Sequence, residues 1–202
     1  MKTLIDHINE SLKIGKNLSK FSNYSCKPKD DEELKAIIKA RIAEEGPNCN
    51  LNDIDVSGID EMYNVFAGSD FNGDISKWDV SNVESMAGMF YNSSFNGDIS
   101  NWNVSKVENM NGMFLKAAFN RDISNWDTSN VEDMKKMFAY SKFNGDISKW
   151  NISNVEDMSY MFNGSEFNQD ISKWEIREDC NTRKMFDNCP INNEYKPKAL
   201  QQ

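Results

Sequence analysis

Phe71-Asn72-Gly73-Asp74-Ile75-Ser76-Lys77-Trp78-Asp79-Val80-Ser81-Asn82-Val83-Glu84-Ser85-Met86-Ala87-Gly88-Met89-Phe90 decides the reading of this chain, because its pattern returns every 24 residues. Tryptophan stands at Trp78, Trp102, Trp126, Trp150 and Trp174. Phenylalanine keeps the same interval at Phe66, Phe90, Phe114, Phe138, Phe162 and Phe186, and again at Phe71, Phe95, Phe119, Phe143 and Phe167. No insertion or deletion breaks the register. The pattern enters weakly at Leu51–Phe66, where Ile54 takes the tryptophan slot, and decays after Trp174. A fixed period of this length marks a stacked array, in which no unit buries a core alone and the end units are atypical.

Local patterns suggest what each unit forms. Ser81 and Glu84 have the spacing of a capping box, repeated at Ser105 and Glu108, Ser129 and Glu132, and Ser153 and Glu156. Val83, Met86, Met89 and Phe90 follow at helical spacing, which predicts a short helix over about 82–91. Trp78 and Val80 alternate with polar residues, which predicts a very short strand. Asn72-Gly73 and Asn96-Gly97 read as turns. Stacking would then lay Trp on Trp and Phe on Phe, and pair the strands into a parallel sheet on the concave side. The expected fold is an α/β, leucine-rich-repeat-like solenoid of about six 24-residue coils with a small helical N-terminal cap.

The residues also carry a resemblance. I-x-x-W-x-V resembles the leucine-rich-repeat pattern. The unit F-N-x-D-I-S-x-W-D-V-S-x-V-x-x-M-x-x-M-F resembles the BspA-like leucine-rich-repeat surface-protein family, met also as a mycoplasma surface-lipoprotein repeat. The likeness covers about residues 55–186. It implies a non-enzymatic binding protein, often displayed on a surface and adhesive. Met1–Lys13 carries no uninterrupted apolar stretch and no lipobox-like cysteine, so a cytoplasmic bacterial or phage protein is expected instead.

The flanks differ from the repeats. Residues 1–29 hold six lysines against Asp6 and Glu10, and Leu4, Ile5, Ile8 and Leu12 suggest a first helix there. Asp30 to Glu45 reads as a stronger helix, with acids in its first turn and Leu34, Ile37, Ile38 and Ile42 on one face; Gly46-Pro47 stops it. Expected boundaries are 1–46 for the helical region and cap, 47–191 for the repeats and 192–202 for a frayed tail.

Charge and composition narrow the chemistry. Net charge is −9, and residues 47–191 alone hold 23 acidic and 12 basic residues. That disfavours direct nucleic-acid binding, for which the basic head 1–29 is the only candidate. No apolar run approaches the ~20 residues of a membrane span. The single histidine, His7, and four scattered cysteines (Cys26, Cys49, Cys180, Cys189) give no zinc spacing; Cys180 and Cys189 are near enough in sequence for a disulfide to be weighed against free thiols. Asp74, Asp98, Asp122, Asp146 and Asp170 are read as caps of their own turns rather than calcium ligands. No nucleophile–base pair or phosphate loop is found. No enzyme activity, cofactor or metal is expected.

Function should lie where side chains are spared by the frame. The positions flanking each tryptophan are Lys77, Asn101, Asn125, Lys149 and Lys173, then Asp79, Asn103, Asp127, Asn151 and Glu175. Their mixed charge suits protein recognition. The expected function is a protein–protein interaction module, monomeric, binding through this polar concave face. Two alternatives stand beside it: an acidic inhibitor of a nucleic-acid-handling enzyme, such as a mobile-element anti-CRISPR protein, and a surface adhesin.

Overall fold

A computed structural model describes residues 27–201. The lysine-rich head, its expected first helix, His7 and Cys26 lie outside the described residues, apart from Lys27 and Lys29. Helix α1, Asp31–Glu45, forms where the acid-first, apolar-faced segment predicts it. The Asp30 side chain accepts from the Glu33 amide at 2.9 Å, and Asp31, Glu32 and Glu33 complement the positive helix N-terminus. Leu34, Ile37 and Ile38 of α1 are buried in the same apolar cluster as Leu51, Ile54 and Trp78. Arg41 ties α1 to the first repeat by donating to Asp53 at 2.8 Å and to the Asn50 carbonyl at 3.0 Å.

The expected α/β leucine-rich-repeat-like solenoid is not formed. Among the described residues α1 is the one α-helix, and it lies before the repeats. The repeats contain turns and isolated parallel bridges, with no strand and no sheet. The bridges run Glu61–Ser85–Asn109–Asp133–Asp157–Asn181, each step being 24 residues.

Backbone conformation explains the missing helix. Two positions in each unit are left-handed. One is the column Asn64, Gly88, Gly112, Lys136, Tyr160 and Lys184, with φ between 55° and 64°. The other, four residues on, is Gly68, Asn92, Lys116, Tyr140, Gly164 and Asn188. A right-handed helix cannot pass through such residues. Successive turns form instead: the Met89 amide donates to the Met86 carbonyl, Tyr91 to Gly88 and Ser93 to Phe90. Between these turns the amides of Met86, Gly88, Phe90 and Asn92 reach across to the carbonyls of Asn109, Asn111, Met113 and Leu115 in the next unit, at 2.8–2.9 Å. The spacing of Val83, Met86, Met89 and Phe90 buries all four without a helix.

The expected strand and capping box fail for related reasons. Turns closed by Trp78 on Ile75 (3.2 Å) and Val83 on Val80 (2.9 Å) bracket the short alternating stretch. The Glu84 amide, which a capping box would satisfy locally, donates to the Asp60 carbonyl of the preceding unit at 2.7 Å. Ser81 turns the other way: its amide and hydroxyl both donate to Asp79 Oδ1, at 3.1 and 2.6 Å. The same amide bond joins Ser129 to Asp127 at 3.1 Å. The aspartate is therefore the organising residue. Asp127→Ala should destabilise by about 1 kcal/mol, the usual worth of one such bond, and Ser129→Ala by less, since its amide persists. Urea unfolding of the two variants checks the order.

Side chains hold the units in register. Phe66, Phe90, Phe114, Phe138, Phe162 and Phe186 stack at 5.5–5.8 Å between ring centroids. Phe71 to Phe167 form a second file at 6.0–6.4 Å. Trp78 lies 6.4 Å from Trp102, and Trp126 lies 6.4 Å from Trp150, the rings of each pair stacked nearly parallel. Each indole N–H is satisfied by a carbonyl 27 residues earlier, Trp126 by Ile99 at 3.1 Å and Trp150 by Ile123 at 3.0 Å.

Outside the core an asparagine relay links the turns: Asn72 Oδ1 accepts from the Asn96 amide, and the chain continues through Asn120, Asn144 and Asn168 to the Asn192 amide, at 2.8–2.9 Å. This relay lies at the exposed and half-exposed surface, not in the interior.

At the C-terminal end, the segment expected to fray carries two 3-10 turns, Asn193–Tyr195 and Lys198–Leu200. Tyr195 and Leu200 pack on the core, and the Ile171 amide donates to the Tyr195 carbonyl at 2.9 Å.

The first unit has one constraint the others lack. A Cβ at Gly73 would overlap the Cys49 carbonyl oxygen, whereas at Gly97 the nearest atoms are the ring edge of Phe95, 2.8 Å away, and the nearest backbone atom is the Gly73 carbonyl oxygen at 3.2 Å. Arg121 and Gln169 occupy the same column. Gly73→Ala should therefore cost about 1–3 kcal/mol through overpacking, and clearly more than Gly97→Ala. Equal thermal midpoints for the two variants would contradict the placement of Cys49.

Candidate interaction surface

All ten residues singled out beside the tryptophans are exposed. The reason is the local alternation: Trp78 and Val80 turn inward, so Lys77 and Asp79 turn outward. Phe-Asn-Gly-Asp at the start of the unit and the Asp-x-Ser turn after the tryptophan position both columns.

The two columns differ in what their side chains do. Asp79, Asn103, Asp127 and Asn151 each accept from the serine amide two residues on, at 3.0–3.1 Å. They belong to the frame as much as to the surface. The serine hydroxyl and amide hold the carboxyls of Asp79 and Asp127 below the usual carboxylate range. Lys77, Asn101, Asn125, Lys149 and Lys173 carry no such duty; at Lys77 the frame uses the backbone amide, which donates to Asn52 Oδ1 at 2.8 Å. Beside this column run Asp74, Asp98, Asp122, Asp146 and Asp170, each accepting from the serine amide two residues on at 2.9–3.0 Å. Those bonds lower their carboxyl pKa values, with a smaller contribution from Lys149 at Asp122 and Asp146. The result is a strip on which the ammonium groups of Lys77, Lys149 and Lys173 and the neutral amides of Asn101 and Asn125 lie beside turn-bound carboxylates.

A second exposed face was not singled out by sequence reasoning. It is the turn face of residues 63–68 and their counterparts. Tyr63, Tyr91 and Tyr140 are the large exposed hydrophobic residues of the described chain. Lys136 Nζ lies 6.0 Å from the centroid of the Tyr160 ring, and Lys35 of α1 lies 5.7 Å from that of Tyr63. The signal that could have found it is variation. Position 64 and its counterparts read Asn, Gly, Gly, Lys, Tyr, Lys, whereas the columns beside the tryptophans hold only a few polar types.

Other chemistry is sparse. Among the described residues no group of three or more His, Cys, Asp or Glu is placed to hold a metal ion. Cys180 and Cys189, weighed above as a disulfide, carry free thiols, as does Cys49. Burial raises the pKa of all three. The Cys189 thiol donates to the Phe167 carbonyl at 3.2 Å, and so continues the frame. Of the basic head, Lys27 pairs with Asp55 at 3.0 Å and Lys29 with Asp30 at 3.5 Å. No helix among the described residues is long and apolar enough to cross a membrane.

Comparison with known families adds one result. The family described as "Mycoplasma protein of unknown function, DUF285" matches residues 38–139 and 116–197, two overlapping stretches that follow the repeats. No curated protein and no solved structure shows a significant match to the chain. The chain belongs to the DUF285 family.

Proposed function

We propose that this DUF285 chain is a non-enzymatic protein-binding module whose contact strip is the column Lys77, Asn101, Asn125, Lys149 and Lys173 with the carboxylates beside it. The observation that carries the reading is the division of labour between columns. The aromatic files and the Asx turns consume most side chains of each unit, while these five project from a rigid frame without a structural task. A preorganised strip of mixed charge favours a protein surface over a polyanion, because it fixes register and rejects single-sign partners. The resemblance to BspA-like proteins supports the same reading, since that family implies binding.

The test uses the full chain as bait in lysate of its natural host. Lys149→Glu with Lys173→Glu reverses the strip without touching an Asx turn, which a change at Asn151 would break. Stability should move by no more than about 0.5 kcal/mol per exposed site. A partner retained by the wild type should be lost or weakened, with an altered salt dependence. A partner held equally by both proteins would remove this strip from consideration.

A further inference from the structure

We infer that Asn144 is a modification site, at which the side chain closes on the main-chain nitrogen of Gly145, loses ammonia and reopens as a carboxylate. Three observations select it among the Asn-Gly pairs of the chain, which start at Asn72, Asn96, Asn111, Asn144 and Asn163. The first is which nitrogens are free. The glycine nitrogen is the nucleophile, so a glycine amide fixed in a hydrogen bond is withheld from the reaction. Gly112 donates to the Lys135 carbonyl and Gly164 to the Asp187 carbonyl, both at 2.8 Å. The Asn111 side-chain nitrogen is held as well, on Asp133 Oδ2 at 3.0 Å, and Asn163 is buried. Those two pairs are locked into the frame. In the asparagine relay, by contrast, the amides of Gly73, Gly97 and Gly145 donate to nothing among the described residues.

The second observation is polarisation of the carbonyl under attack. Asn144 Oδ1 accepts twice, from the Asn168 amide at 2.8 Å and from Gln169 Nε2 at 3.1 Å. Both donors draw electron density from Cγ and stabilise the charge that develops on the oxygen as nitrogen adds. Asn72 and Asn96 each have one such donor, at 2.8 and 2.9 Å. The third observation is backbone freedom. The Asn72-Gly73 pair is clamped, because the Asn72 amide donates to the Pro47 carbonyl at 2.8 Å and the Asp74 amide to the Cys49 carbonyl at 3.2 Å. The Asn96 carbonyl is held by Arg121 Nε at 2.9 Å. Asn144 is exposed, and among the described residues nothing holds its carbonyl or the amides of Gly145 and Asp146. Glycine also leaves its nitrogen unshielded, where Arg121 and Gln169 carry long side chains in the same column.

The step needs only water as co-reactant. The Gly145 nitrogen gives up its proton to solvent base and bonds to Asn144 Cγ. The Cγ–Nδ2 bond breaks, and Nδ2 takes a proton back from water and leaves as ammonia, closing a five-membered imide. Water then opens the ring. Attack at Cγ yields aspartate, and attack at the main-chain carbon yields isoaspartate, with one extra methylene in the backbone. The fold accepts the first product, because the relay uses only the side-chain oxygen of residue 144. A neighbouring column already uses Asp79 and Asn103 as equivalent acceptors, both at 3.1 Å. The new carboxylate stands two residues before Asp146, at the edge of the strip that carries Lys149. The chemistry does not depend on what that strip binds.

A time course of the folded full chain at mildly alkaline pH, read by proteolysis and mass spectrometry, tests the inference. Asn144 should convert first and Asn96 and Asn72 more slowly, while Asn111 and Asn163 stay amides. In urea, where only local sequence remains, the Asn-Gly pairs should converge to similar rates. Gln169→Leu removes one donor and should slow conversion at Asn144 several-fold, less than the ~10²–10³ that a donor buried in an enzyme site contributes. Gly145→Gln introduces the residue that the Asn168-Gln169 pair already carries. It should stop conversion at Asn144 with a thermal midpoint close to wild type. An amide at Asn144 that outlasts those at Asn111 and Asn163, the same ranking in the folded chain and in urea, or wild-type conversion in either variant would each overturn the inference.

Discussion

Replacing Trp126 by alanine should cost about 3–5 kcal/mol, the penalty for truncating a large buried aromatic residue. The position is central: Trp126 is 4% exposed, stacks on Trp150 at 6.4 Å and meets Phe114 at 6.4 Å. Three losses combine in one substitution. The indole volume becomes a cavity that neighbours on both sides cannot close without breaking their own register. The ring contacts disappear. The Ile99 carbonyl, which accepts the indole N–H at 3.1 Å, is left buried without that donor. Each unit lacks a helix or strand of its own, so no local element can hold the chain in place while the file is broken. Trp174→Ala should cost less, because the last indole lies at the end of its file. Urea denaturation followed by far-ultraviolet circular dichroism checks both values. A Trp126→Ala protein within about 1 kcal/mol of wild type would mean that the turns, not the aromatic files, carry the fold.

The aromatic files were legible because they depend on period alone. Trp and Phe at an unbroken interval must superpose when units stack, whatever the backbone does between them. Helix α1 was legible because cap, acids, apolar face and Gly46-Pro47 all point the same way. The repeat backbone was not, since Val83, Met86, Met89 and Phe90 fit both a helical turn and a train of tight turns. Gly88 and Asn92 hold the information that decides between them, but Lys136, Tyr140 and Tyr160 disguise the same left-handed positions in later units. The serine column misled for a different reason. Ser-x-x-Glu spacing is shared by a capping box and by this frame, where Ser81 turns back to Asp79 and Glu84 reaches the unit before it. The exposure of Lys77 and its counterparts followed from alternation about the tryptophan. The second role of Asp79 and its counterparts did not, because an Asx turn involves a backbone amide that no residue pattern displays. The tyrosine-bearing turn face stayed hidden behind the helix assigned to it.

Acid should destabilise this protein over the range in which its turn-forming carboxylates take up protons. Asp74, Asp79, Asp98, Asp122, Asp127 and Asp146 each hold a turn through bonds from serine, and those bonds depress their pKa values below the ordinary 3.8. Asp55, which also faces Lys27, is lowered to about 2, first by the Ser57 hydroxyl. A carboxylate more acidic in the folded chain than in the unfolded one stabilises the fold above its unfolded pKa. That stabilisation fades as pH falls through the folded pKa, here from about 4 downward toward 2. Each group is exposed and screened, so a single site contributes little. The effect comes from repetition, because the turns they hold recur in every unit and share one stack. The thermal midpoint should therefore drop steadily between about pH 5 and about pH 2. The chain supplies its own control. Asn103 and Asn151 make the same turn as Asp79 and Asp127 with an amide oxygen that does not titrate over this range, at 3.1 and 3.0 Å. Asp79→Asn with Asp127→Asn should keep the neutral-pH midpoint close to wild type and flatten its fall in acid. An equal fall in both proteins would assign the acid sensitivity to groups other than these turns.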